Sequence, residues 1–139
     1  MPQEIYLDNA ATTAPDPAVV RAMVHALAEE YGNPSSLHRR GLGAERLITG
    51  ARDTVARTLD VSPAEIVFTS GGTESNALAL RGVAARARGR HVITTAIEHS
   101  SVLVPLRRLA AEGWEVTELP VDRAGRITAA QVAGALRPE

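Results

Sequence analysis

The sequence predicts an α/β protein built around a mainly parallel sheet. Beyond Ser62-Pro63, short buried-strand runs alternate with amphipathic helical stretches, and a glycine-rich turn links the first such run to its helix. That alternation implies crossover helices over a parallel sheet, with ligands gathering beyond the carboxyl ends of the strands. A length of 139 residues with 45% hydrophobic content suffices for one ordinary buried core.

Ile5-Tyr6-Leu7, closed by Asp8-Asn9 and followed by small and hydroxyl residues up to Pro15, reads as an extended segment and loop. Asp16 is a good N-cap with Pro17 behind it, and Val20, Met23, Val24, Leu27 and Tyr31 form a helical stripe ending at Gly32-Asn33-Pro34. After the loop Asn33-Pro34-Ser35-Ser36, Leu47, Ile48, Ala51, Val55 and Leu59 mark a second amphipathic helix, with Gly41, Gly43 and Gly50 weakening its first turns. Ile66 to Thr69 is a buried-strand run, followed by Gly71-Gly72 and a helix through Ala77, Leu78, Leu80, Val83, Ala84 and Ala87. His91 to Thr95 is a strand, Ser100 to Glu112 a helix and Trp114 to Leu119 another strand. A turn at Asp122 to Gly125 leads into a helix from Thr128, and the sequence stops at Pro138-Glu139, where a further strand is expected.

With 22% charged residues and a formal net charge of -1, nothing in the balance suggests a nucleic-acid or membrane-surface partner. No apolar run approaches the roughly 18 residues of a membrane helix. Met1-Pro2-Gln3-Glu4 lacks the basic-then-apolar form of a signal peptide, so a cytoplasmic location is expected. The absence of Cys removes any thiolate nucleophile, and all 15 residues counted as Lys or Arg are Arg. Guanidinium cannot supply the amine that Schiff-base chemistry requires.

Thr69-Ser70-Gly71-Gly72-Thr73-Glu74-Ser75-Asn76 lies between a strand and a helix. Glycines allow close approach of the backbone to an anion, the first helical N–H groups point at it, and the Thr73 and Ser75 hydroxyls offer further donors. The run therefore suits a phosphate cradle; a plain helix cap with Thr73 or Ser70 as N-cap explains the same residues. It is not a nucleotide P-loop, which needs a lysine. Glu98-His99-Ser100-Ser101 stands at the carboxyl end of the next strand, where His99 could stack on a ring or shuttle protons near neutral pH; capping residues with a surface His explain the same run. His25, His38, His91 and His99 lack metal-site spacing, so no metal is expected. Asp8 to Thr13 reveals no chemistry by spacing alone.

In order and content these motifs resemble the NifS-like cysteine desulfurases of the class V aminotransferase family, which use pyridoxal 5'-phosphate. The resemblance spans nearly the whole sequence. It rests on Tyr6-Leu7-Asp8-Asn9-Ala10-Ala11-Thr12-Thr13, Gly32-Asn33-Pro34-Ser35-Ser36 with His38 and Gly41, Ala51-Arg52, Ile66 through Asn76, and Glu98-His99. The Asn-Pro-Ser-Ser loop and the Ser-Gly-Gly-Thr-Glu-Ser-Asn run look more like the group serving general iron–sulfur assembly than the group whose phosphate loop reads Arg-Gly-Thr-Thr-Glu.

The resemblance implies an incomplete large domain of the pyridoxal-phosphate transferase fold (fold type I), a three-layer α/β/α arrangement. Residues 1–15 would be an N-terminal segment near the active site and domain junction, and 16–139 the first part of the cofactor-binding domain. It implies that Gly72 and Thr73 hold the cofactor phosphate, and that His99 stacks on the pyridine ring and assists proton transfer. L-Cysteine would be the substrate, yielding L-alanine and a persulfide sulfur for acceptor proteins, in a homodimer. The family's Schiff-base lysine and loop cysteine have no counterpart in this sequence, so the chain alone is expected to be inactive. Another class V enzyme such as a selenocysteine lyase would share the cradle, and a non-catalytic paralogue acting as a binding or dimerisation module is the alternative from a different class. In the family fold, the strand like Ile66 to Thr69 lies at one sheet edge and those like His91 to Thr95 and Trp114 to Leu119 at the other. An isolated chain is therefore expected to be poorly stable or to associate through unpaired edges.

Overall fold

A computed structural model of the chain describes residues 5–137. The N-terminal tetrapeptide read for targeting and the Pro138-Glu139 end, where a further strand was expected, lie outside the described residues. The chain divides into two compact units, Met1–Val67 and Phe68–Glu139.

The first unit opens with a turn held by the Tyr6 hydroxyl, which donates to the carbonyls of Asp8 (3.0 Å) and Thr12 (3.1 Å). Helix α1 runs Pro17–Ala28, started by Pro17 in its first turn and by the Asp16 carboxylate accepting from the Ala18 amide at 2.7 Å. It ends before Tyr31, whose ring instead receives the Arg40 guanidinium at 4.8 Å from its centre. Helix α2 spans Arg39–Leu59 and is capped by His38, whose Nδ1 accepts from the Gly41 amide at 3.3 Å. The glycine that weakens this helix by propensity is what lets it form here. A Cβ on Gly41 would lie 2.1 Å from the Ser36 carbonyl oxygen and 2.7 Å from that of Asn33, so the Asn33–Ser36 turn packs directly onto the first turn of α2. The helix ends at Asp60 in the left-handed region (φ 54°), and a 3-10 turn at Pro63–Glu65 follows, closed by a reciprocal Ser62–Glu65 capping box.

The second unit contains α3 (Gly72–Ala84), β1 (His91–Thr95), α4 (Ser100–Ala111), β2 (Glu115–Leu119) and α5 (Ala129–Ala135). β1 and β2 pair in parallel, with His91 opposite Glu115 and Thr95 opposite Leu119, and α4 forms the crossover between them. The unit is thus α/β with a parallel sheet, as the alternation predicts. α4 packs against α3 and β2, and its Leu106 (2% exposed) and Leu109 form the core with Leu119. The start of α5 is sequence-encoded: Thr128 and Gln131 make a capping box, and Gln131 also donates to the Pro120 carbonyl at 2.9 Å.

One expected element is absent. Ile66 to Thr69 forms no strand, although Ile66 keeps an extended backbone (φ -92°, ψ 121°). A strand is completed only by a neighbour that takes its N–H and C=O groups, and among the described residues no strand pairs with this run. Val67 and Phe68, apolar as a buried strand requires, are consequently exposed.

Candidate functional site

The first turns of α3 and α4 are held together at one end of the second unit. Asn76, in α3, donates from Nδ2 to the Ser101 hydroxyl at 2.9 Å, and Ser101 is the second residue of α4. Thr73, Ala77, Ser100 and Ser101 accordingly line one shallow groove between the two helices. His99 precedes α4 and lies just past the carboxyl end of β1, as the strand-then-helix pattern predicts.

Helix α3 begins without a side-chain cap: Gly71 is its N-cap, and its first internal bond runs from the Ser75 amide to the Gly71 carbonyl at 3.1 Å. The amides of Gly72, Thr73 and Glu74 have no acceptor among the described residues. A Cβ on Gly71 or Gly72 would meet nothing within 4 Å, so the space before these donors is open. Neither Ser70 nor Thr73 acts as the cap that the simpler reading offered.

The hydroxyls around this turn divide unequally. Glu74 Oε2 accepts both the Ser70 amide and the Ser70 hydroxyl at 2.6 Å each, which holds the Glu74 carboxyl below its ordinary value of 4.5. Thr69 Oγ1 donates to the Gly71 carbonyl at 3.2 Å and lies 2.6 Å from Ser75 Oγ, so the Ser75 hydroxyl gives its hydrogen to Thr69. This corrects the expectation that Ser75 is a free donor; of the two proposed hydroxyls only that of Thr73 remains unengaged. The remaining donor set of backbone amides and one hydroxyl fits a phosphate dianion, which the helix dipole favours by about 0.3–1 kcal/mol at an exposed site.

His99 is the N-cap of α4. Its Nδ1 accepts from the Ser101 amide at 3.1 Å and lies 2.8 Å from the Ser101 hydroxyl, while the ring itself is exposed. The cap is thus His99 itself and not one of the neighbouring residues, and the bond that caps the helix also orients the imidazole. Neighbouring Glu98 is held back toward the strand by the Thr95 hydroxyl at 2.9 Å. Among the described residues no cluster of three or more His, Asp or Glu could hold a metal ion. No helix among them is long and apolar enough to cross a membrane.

The sequence gives no sign of a contact between Asn76 and Ser101, although both stand inside quoted motifs. They meet across 25 positions of sequence, and no local spacing signals such a contact.

The second unit thus combines a parallel crossover with an uncapped glycine-rich helix start beside a capping histidine, an arrangement whose free donors suit an anion. Residues 5–139 match the family of class-V aminotransferases, and the chain belongs to that family. It is 44% identical to the cysteine desulfurase IscS of Dictyoglomus turgidum over 100% of its own length and 36% of that relative's. Among solved structures it is similar to a NifS-like protein, with a TM-score of 0.88, 40% identity and coverage of 96% of this chain and 37% of the other. It is also similar to SspA solved in complex with cysteine, with a TM-score of 0.83, 39% identity and coverage of 93% and 38%. The chain thus spans about a third of the length of these relatives.

Proposed function

We infer that the chain supplies the phosphate-binding part of a pyridoxal 5'-phosphate-dependent cysteine desulfurase, which converts L-cysteine to L-alanine and passes the sulfur on as an enzyme-bound persulfide. The observation that carries this reading is the open start of α3, with its unsatisfied Gly72, Thr73 and Glu74 amides, tied to a helix start that presents His99. In this reading Gly72 and Thr73 bind the cofactor phosphate through their amides and the Thr73 hydroxyl. The exposed His99 imidazole stacks on the cofactor ring and handles a proton at Nε2, its nitrogen not used in capping. The cofactor, when bound, supplies an electron sink for the bonds of the substrate amino acid. Residues 1–15 belong beside the active site and residues 16–139 to the first part of the cofactor-binding domain. The names of the relatives, and the cysteine bound to one of them, support cysteine as substrate. A cytoplasmic homodimer delivering sulfur to acceptor proteins completes the proposal.

The sequence contains neither lysine nor cysteine, so the covalent steps need groups from outside this chain. Purified chain mixed with pyridoxal phosphate and L-cysteine is expected to release sulfide no faster than the free cofactor does. With an added thiol reductant to cleave the persulfide, a chimera in which this chain replaces the matching third of the D. turgidum relative is expected to release sulfide and alanine in equal amounts. Turnover by the chain alone, or a chimera that binds the cofactor and yields no sulfide, would overturn the reading.

A further inference from the structure

Asn76, Ser101 and His99 form a hydrogen-bonded row whose direction is set by one backbone amide. The Ser101 N–H points at His99 Nδ1 from 3.1 Å, and two N–H groups cannot share that contact, so Nδ1 carries a lone pair and no proton. Ser101 Oγ stands 2.8 Å from the same Nδ1 and must therefore give its hydrogen to it. Having donated, the hydroxyl offers only lone pairs to Asn76 at 2.9 Å, which requires the NH2 side of that amide to face it. Ser101 is 6% exposed, so water competes little for these bonds.

The geometry points to Asn76 and Ser101 as positioning residues that hold neutral His99 in the form protonated at Nε2. The ring then presents an N–H donor at its free edge, with no basic lone pair there. This deepens the proposed function and rests on it for its relevance to catalysis: within the desulfurase, neutral His99 gives a hydrogen bond from Nε2, and it gives the Nε2 proton only once Nδ1 has itself been protonated, because loss from the neutral ring would leave an imidazolate. Taking one up occurs at Nδ1 and displaces the cap.

Tautomers are read directly from two-bond proton–nitrogen correlations of the imidazoles in the 15N-labelled chain without cofactor, above the ordinary imidazole titration at about pH 8.5. The His99 signals are assigned by their loss in His99→Asn. Ser101→Ala removes the hydroxyl donor, and Asn76→Asp, which can only accept, draws that hydrogen away from Nδ1. Each is expected to raise the Nδ1–H fraction of His99 by about two- to tenfold, as the loss of one hydrogen bond predicts. Ser101→Thr is expected to restore the wild-type fraction. Circular dichroism checks each variant for a native helix content, and Asn76→Asp leaves α4 untouched if Ser101→Ala proves unstable. A wild-type ring mainly protonated at Nδ1, or fractions unchanged in both variants, would overturn the assignment. The cofactor takes no part in this measurement, so its outcome is separate from that of the chimera assay.

Discussion

The starts of α3 and α4 are tied together through Asn76 and Ser101, yet they are finished in opposite ways. At α4 an imidazole accepts the Ser101 amide; at α3 the amides of Gly72, Thr73 and Glu74 are left open behind a glycine N-cap. Every helix start leaves the same orphan donors, and residue type decides what meets them. His99 satisfies its helix from within, whereas Gly71 leaves the first amides of α3 without a partner among the described residues. Ser70 and Ser75, which have the chemistry to close α3, are withheld from it by Glu74 and Thr69. The difference separates a helix start with free donors from one whose capping bond also orients a side chain.

Breaking the closed start has the larger effect on stability. His99→Ala is expected to cost about 0.5–2 kcal/mol, the usual price of a lost N-cap, measured by chemical denaturation of the second unit. His99→Asn should recover all but a few tenths of that cost, because Asn caps as well, while still removing the ring. Equal losses in both variants would show that the imidazole contributes through something other than the cap.

The open start is sensitive to acid in a smaller way. The folded-state pKa of Glu74 is depressed by the hydrogen bonds from Ser70, so the contribution of that pair is present above 4.5 and is lost as pH falls through the lowered value. Glu74 is exposed and its effect on global stability is small. The Ser70 amide shift in a pH titration should therefore report it better than a melt, with a midpoint below 4.5 that vanishes in Glu74→Gln. A midpoint at or above that value would mean that Ser70 is not bonded to the carboxylate.

Most of this architecture is legible in the sequence because it is local. Asp16 with Pro17, Thr128 with Gln131, and the alternation from His91 to Leu119 each encode an element through neighbouring residues. Gly72, Thr73 and His99 were likewise readable as helix-start residues flanking strand-like runs. What was not legible depends on distant partners. Ile66 to Thr69 has strand composition, but a ladder needs a second chain segment, and none among the described residues provides it. Gly41 reads as a helix weakness until the Ser36 carbonyl is found 2.1 Å from where its Cβ would stand. The Ser75 hydroxyl reads as a free donor until Thr69 claims it, and Asn76 gains a role only when Ser101 arrives from the next helix.

The central claim, that the start of α3 receives the cofactor phosphate, is tested most directly by backbone amide shifts during titration with pyridoxal 5'-phosphate. The largest changes are expected at Gly72, Thr73 and Glu74. Gly72→Pro removes one of these donors at a helix position that tolerates proline, and should weaken binding by about tenfold or more, the loss expected for a hydrogen bond to a charged group. Changes confined to other residues, with affinity unaltered in Gly72→Pro, would contradict the account.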